Sequence, residues 1–255
     1  MKKQLKISIV AFLDFLGYED LISSLKDNVP ELETELNKLS EAISEAENFI
    51  TGVGFDNKFF TDNLIVTTEI SQNDSGEGSL GNILGALAMY QLIITSHGYF
   101  MRGGLEVGYN YIDDKLVFGD ALIEAYKLES KVAIYPRIIL GNELKKLIEL
   151  HKKSYPTVER MPHYDILDDG FNYIDYLKGA FNYCQEDVNS IYPLVEKHKH
   201  YIEKALKDTK HRKIRKKYIW LKDYHNEFCN SYTAFQELVI KNKGCFKCIP
   251  NNKEQ

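Results

Sequence analysis

The sequence predicts an α+β fold: a ferredoxin-like antiparallel sheet with helices on one face, followed by a helical C-terminal extension. Three observations predict it. Residues 7–13 are apolar apart from Ser8, as in a strand buried on both faces, and Asp14 closes the run. From there to about residue 150 the hydrophobic periods follow the order β-α-β-β-α-β. Beyond that point the chain is aromatic-rich and spaced like helix.

Each element has its own signal. Residues 19–50 place Leu32, Leu36, Leu39, Ile43 and Ile50 at helical spacing, and Pro30 breaks or restarts that helix. Strand-like runs at 53–60 and 64–70 meet at Thr61-Asp62-Asn63, a hairpin tip. The polar, glycine-rich stretch 71–81 reads as a loop. Residues 83–97 read as a helix stopped by Gly98. Strands follow at 99–111 and 115–118, a helix at 121–131 and a short strand at 137–140. Residues 1–150 thus form a complete core and 151–241 a mostly helical extension. Its best windows are 183–206, where Pro193 interrupts or restarts the helix, and 216–240; residues 242–255 are a polar tail.

Composition bounds the function. The chain has 255 residues, 32 Lys+Arg against 37 Asp+Glu, a net charge of −5 and 44% apolar residues. These values exclude a collagen-like, coiled-coil or wholly disordered chain. Four cysteines make no disulfide scaffold and point to a reducing compartment. The early apolar run is far shorter than the ~20 residues of a membrane span, so the reading is a cytoplasmic protein with no membrane association. Residues 194–217 hold ten Lys/Arg and three acidic residues, a local net of +7 that leaves −12 for the rest. Such a run can meet nucleic acid or form a solvated helix face; the second reading is preferred.

Two carboxylates carry the chemical argument. Asp14 ends an apolar strand, at the rim of a sheet, and Gly17 then lets the backbone approach a ligand beside a helix N-terminus. Taken alone, Asp14 reads first as a helix cap and Asp62 first as a turn residue. In this topology, however, the strand end and the hairpin tip lie side by side. Two carboxylates there can hold two divalent cations, Mg²⁺ or Mn²⁺, against a triphosphate.

Around these residues the chain resembles the class III nucleotide cyclases. Asp14 in Phe12-x-Asp14-x-x-Gly17-Tyr18 is similar to that family's first metal carboxylate, and Asp62 in Lys58-x-x-x-Asp62 to the second. Arg102-Gly103-Gly104-Leu105-Glu106-Val107-Gly108 resembles the strand before the substrate-recognition loop. The segment 118–130, opening on Phe118-Gly119, resembles the one carrying the transition-state Asn and Arg. A narrower resemblance is to the bacterial pyrimidine cyclases of Pycsar anti-phage defence. It rests on Arg102-Gly103-Gly104, Phe118-Gly119-x-Ala121-Leu122, Ala125-Tyr126-x-Leu128-Glu129 and Ala133 with Pro136-Arg137-Ile138. Lys217-Tyr218-x-Trp220-Leu221 with Tyr224-His225-Asn226 extends it into the helical part.

The resemblance implies the class III catalytic fold and conversion of UTP to cyclic UMP and pyrophosphate, with CTP the nearest competing substrate. Two Mn²⁺ or Mg²⁺ ions would be held by Asp14, the Phe15 carbonyl and Asp62, and the backbone of Leu16, Gly17 and Tyr18 would cradle the β- and γ-phosphates. The base-reading positions fall on Lys58 and Leu116. Leu116 cannot accept a hydrogen bond through its side chain, which disfavours adenine selection in the adenylate cyclase manner. Ile123 and Lys127 stand where purine cyclases have the Asn and Arg; Lys127 keeps the charge but loses the bidentate fork. Arg102 is either a substrate contact or the ion-pair partner of Glu106 or Glu129. The family further implies a homodimer with composite active sites and a separate effector that responds to the cyclic nucleotide.

The remaining candidates read as structural: Arg137 as an ion-paired arginine, Trp220 as core or dimer packing, and His198, His200 and His211 as solvated. The lone Cys245-x-x-Cys248 lacks the further ligands a zinc site needs. A silent nucleotide-binding scaffold on the same fold is the alternative that Ile123 and Lys127 favour, and a nucleic-acid binder using residues 197–217 is a third.

Overall fold

β1 (Lys6–Phe15) alternates strictly between two buried faces. Ile9, Ala11, Leu13 and Phe15 point into the main core, while Val10 and Phe12 point into a second, smaller cluster. A central strand apolar on both faces needs cover on both. The computed structural model, which describes residues 3–52, 54–70, 75–155, 157 and 164–241, supplies it. α1 (Tyr18–Leu25) and α2 (Val29–Thr51) lead to the hairpin β2 (Asp56–Phe60) and β3 (Asn63–Glu69). Then come α3 (Glu77–Ser96), β4 (Met101–Ile112), β5 (Val117–Gly119), α4 (Asp120–Lys131), β6 (Ile138–Leu140) and α5 (Asn142–Ser154). The last part comprises β7 (Ile166–Asp168), β8 (Asn172–Ile174), α6 (Tyr176–Tyr183), α7 (Val188–Asp208), α8 (Arg212–Ser231) and a 3₁₀ segment, Thr233–Leu238.

The strands form one sheet in the order β2-β3-β1-β4-β6-β8-β7, with β5 pairing β4. All pairings are antiparallel except β4 with β6. The α+β architecture agrees with the sequence; the placement of helices on one face does not. α2 and α3 cover the main-core face, whereas Ala121 and Ala125 of α4 pack on Val10, Phe12 and Ile65 on the other. Gly104 permits that close approach, since a Cβ there would run into the Ala125 carbonyl and Leu128.

Three local expectations change. Pro30 starts α2 rather than breaking it: Asn28 caps the helix by accepting the Glu31 N–H, and a proline in the first turn gives up only an N–H that has no helical partner. α3 begins at Glu77, inside the stretch read as loop, because an acidic first turn suits the helix dipole despite Gly78 and Gly81. Pro193 sits inside α7 without ending it; close to the N-terminus it costs a single ladder bond.

The boundary drawn at residue 150 falls inside α5. β8 pairs with β6 through Tyr173 opposite Ile139, so the later residues extend the same sheet, and one core cluster runs from Ile9 to Ile240. α3 is the one helix among the described residues long and apolar enough to cross a membrane, and it lies packed inside this core. The tail 242–255, with Cys245 and Cys248, lies outside the described residues.

Candidate active site

The end of β1 and the tip of the β2–β3 hairpin come together. Asp14 stands opposite Asn63 on one side and Arg102 on the other, and the Phe15 N–H donates to the Asp62 carbonyl at 3.2 Å. The hairpin turns on Thr61 and Asp62 alone, with Phe60 opposite Asn63. Thr61 takes a left-handed φ of 53°, a strained setting for a β-branched residue beside a candidate ligand. Asp62 Oδ1 accepts from Thr61 Oγ1 at 2.9 Å and from Asn63 Nδ2 at 3.1 Å, which fixes its direction. After Phe15 the chain turns through Gly17, whose φ of 80° is left-handed, and enters α1. The Leu16 N–H donates to the Phe100 carbonyl at 2.8 Å and so has no hydrogen to offer a phosphate. Among the described residues, Gly17 and Tyr18 keep N–H groups free of backbone acceptors at the helix start.

A third carboxylate joins the pair. Glu129, on the buried stripe of α4, lies 2.6 Å from Arg102 Nη2, while Arg102 Nε donates to Asp14 Oδ2 at 3.1 Å. Arg102 Nη1 reaches the Ala133 carbonyl at 3.5 Å, so all three guanidinium nitrogens are engaged. Arg102 is thus paired within its own chain with Glu129, one of the two partners expected, and with Asp14 in addition. Glu106 instead accepts from the N–H groups of Glu143 and Leu144 at the start of α5. Burial pushes the Asp14 carboxyl up; Arg102 opposes the rise and Asp62 adds to it. Burial likewise pushes Glu129 up to about 7, against the pull of Arg102 and with the push of Asp14 and Asp62. Glu129 therefore keeps its proton below about pH 7, well above the range of an ordinary glutamate.

Among the described residues no group of three or more His, Cys, Asp and Glu side chains has metal-site geometry. The donor set of Asp14, Asp62 and the Phe15 carbonyl is nevertheless all hard oxygen. Two mutually repelling carboxylates of that kind suit Mg²⁺ or Mn²⁺.

The other expected residues lie elsewhere. Lys58 Nζ donates to the carbonyls of Asp113 and Asp114 at 3.0 and 2.9 Å, tying β2 to the β4–β5 turn. The Leu116 N–H donates to Asp113 Oδ1 at 2.8 Å in the same turn, and a pocket of about 350 Å³ opens beside Lys58 and Asp113. The two positions expected to read the base are therefore both tied to the β4–β5 turn, through Asp113. Lys127 is exposed and pairs with Glu124 at 2.6 Å. It is two residues from Glu129, about 200° around the helix, so it points away from Asp14. Ile123 is exposed on that same outer side.

Arg137 is buried, pairs with Asp169 at 2.6 Å and lies among Tyr135, Phe171, Tyr173 and Trp220. Trp220 stacks on Tyr135 and Tyr224, which makes it a packing residue. The reading of His198 as solvated is wrong. It is fully buried on the stripe Ile191, Val195, His198, Ile202, whose 3–4 spacing marks it as inward-facing. Glu129 and Lys217 lie beside the candidate site but were not among the residues expected there. Lys217 of α8 is half-buried, within electrostatic range of Arg102, Asp14 and Glu129. The signal for both is a charge on an otherwise apolar helix stripe.

No family model and no curated protein matches the chain. Solved structures do. The adenylyl cyclase CyaB from P. aeruginosa is 16% identical, over 68% of this chain and 94% of that one, with a TM-score of 0.50. This chain has the class III nucleotide cyclase fold. The guanylyl cyclase Cya2 is 15% identical over 68% of this chain and 94% of that chain, at a TM-score of 0.47. A class III adenylyl cyclase-like ATP-binding protein from Pseudomonas aeruginosa is 18% identical over 80% and 44%, also at 0.47. On the cyclase fold, the Asp14–Asp62 pair sits where β1 and the β2–β3 hairpin meet.

Proposed function

We propose that the protein is a nucleotide cyclase of the cytoplasm that converts a pyrimidine nucleoside triphosphate, UTP before CTP, into the cyclic monophosphate and pyrophosphate. The observation that carries this reading is the convergence of Asp14 and Asp62 at the mouth of the cyclase fold. Asp14, Asp62 and the Phe15 carbonyl would hold two Mn²⁺ or Mg²⁺. When bound, these ions lower the pKa of the ribose 3′-hydroxyl and offset phosphate charge. The chain's own task is positioning and electrostatics. The Gly17 and Tyr18 N–H groups receive phosphate oxygens at the start of α1. The 3′-oxygen bonds to the α-phosphorus, the α–β phosphoanhydride bond breaks, pyrophosphate departs and the hydroxyl proton passes to water.

Lys127 belongs to this scheme only in trans, since within one chain it faces away from Asp14; a head-to-tail homodimer with two composite sites is the matching assembly. The side chain of Leu116 cannot accept from an adenine amino group, which supports a pyrimidine. The anti-phage role, with a separate effector reading the product, rests on the Pycsar-like motifs alone.

A catalytically silent nucleotide-binding protein is the second reading, favoured by the Asp14–Arg102 pair and by Ile123. Incubation with each of the four NTPs and Mn²⁺, with products identified by mass, separates the two. Cyclic UMP is expected from the native protein and none from Asp14→Asn or Asp62→Asn; no cyclic product from any NTP would refute the enzyme.

A further inference from the structure

The basic elbow between α7 and α8 has no part in the site described so far. Eight of its ten cations are exposed, and Lys199 donates to the Glu237 carbonyl. Lys217 differs. It lies on the inward stripe of α8, three residues before Trp220 and seven before Tyr224. Trp220 stacks on Tyr135 at 5.3 Å and on Tyr224 at 5.5 Å, which anchors that stripe to the segment between Ala133 and Arg137. The next residue, Tyr218, packs on Phe100 at 5.2 Å, and the Phe100 carbonyl holds the Leu16 N–H. The first turns of α8 are thereby set beside the turn that follows Asp14.

Lys217 makes no ion pair among the described residues, whereas the other candidate cations of the site are committed. Arg102 spends its three nitrogens on Asp14, Glu129 and Ala133, Lys58 is held by two carbonyls, and Lys127 by Glu124. A half-buried ammonium with no ion pair among the described residues has given up hydration for only the longer-range pull of Asp14 and Glu129, which Arg102 opposes. A phosphate entering beside Asp14 supplies the missing counter-charge.

We propose that Lys217 is a polyphosphate-binding residue of the active site, contacting the phosphates of the bound nucleoside triphosphate, so that the C-terminal extension completes the catalytic unit. The proposal rests on the cyclase reading above and names one of its substrate contacts. Lysine suits the role as a compact point charge on a flexible stem.

The test uses the full-length protein with Mg²⁺ and inorganic tripolyphosphate, followed by calorimetry. Loss of one charged contact predicts roughly tenfold or greater weakening in Lys217→Met, and a similar rise in KM for the nucleotide. Lys217→Arg should restore most of the affinity, and Lys213→Met, one turn away and exposed, should leave it unchanged. In the unaltered protein, tripolyphosphate should shield Lys217 from acylation, read by mass spectrometry, which needs no variant to fold. Equal tripolyphosphate affinity in Lys217→Met, or acylation of Lys217 unaffected by tripolyphosphate, would overturn the proposal. If cyclic nucleotide is still made in that case, the cyclase reading survives and the lysine assignment alone fails. If the native protein neither cyclises an NTP nor binds tripolyphosphate, both fail.

Discussion

At the end of β1 Asp14 and Glu129 share one arginine with Asp62 close by, and a proton on Glu129 relieves part of the repulsion. The opposite situation holds in the extension. The Leu238 carbonyl accepts from His225 Nε2 at 3.0 Å, so His225 Nδ1 must accept from His198 Nδ1–H at 2.9 Å; His198 Nε2 then accepts from the Tyr176 hydroxyl at 2.6 Å. Both imidazoles are neutral and fully buried, and burial pushes His198 well down and His225 down to about 4. The signs oppose each other. Between pH 4 and 6.5 the unfolded histidines bind protons that the folded ones refuse, so stability falls as pH drops through that window. Glu129, held protonated in the fold, adds stability at low pH that is lost as pH rises from 4.5 to about 7. In Glu129→Gln the second slope disappears. Its unfolding free energy in urea should therefore climb more steeply from pH 5 to 6.5 than that of the native protein, by up to about 1.4 kcal/mol per pH unit, the slope of the one proton Glu129 no longer contributes. Parallel profiles for the two proteins would show that Glu129 does not hold its proton. Asp14 and Asp62 were legible because a strand end and a turn are local patterns. Glu129 and Lys217 were not, since their partners arrive from elements far away in the chain.

Among elements, the long periodic ones were legible and the short ones were not. The core strands and α4 lie within a few residues of where periodicity placed them, because each carries a full apolar face. β7 and β8 are three residues each and left no alternation to read, yet they add the far edge of the sheet. What holds that edge is the aromatic group around Arg137. Trp220 of α8 stacks on Tyr135 before β6, meets Tyr173 of β8 edge-on at 5.8 Å and lies 5.6 Å from the guanidinium. Trp220→Ala removes contacts to Tyr135, Arg137 and Tyr173 at once and should cost about 3–5 kcal/mol in urea unfolding, in the range for large aromatic truncations. Because Arg137 also rests on Tyr173 and pairs with Asp169, Trp220→Phe should recover a substantial part of the loss. A cost below about 1 kcal/mol for the alanine variant would mean that α8 and the hairpin are held by other contacts.

At the scale of the whole molecule, the two halves of the proposed chemistry face different directions. Asp14 and Asp62 lie at one end of the sheet, Lys58 and Leu116 are both tied to the β4–β5 turn, and Lys127 looks outward from α4 beside the exposed Ile123. One chain therefore has no way to present its own Lys127 to a nucleotide held at its own Asp14, but two chains related by a twofold axis can exchange these parts. Inactive chains then have a definite arithmetic. On the proposed mechanism Asp62→Ala would remove a cation ligand and Lys127→Ala a charge facing the developing negative charge, so each homodimer would have two dead sites. Mixing them forms heterodimers in which one site carries both lesions and the other none. With random exchange, half of the dimers are mixed and each has one intact site of two, so roughly a quarter of native activity should return. Gel filtration of each variant, run first, establishes that both still dimerise. A mixture that stays inactive despite dimerisation would place Lys127 outside the active site or the active site within a single chain.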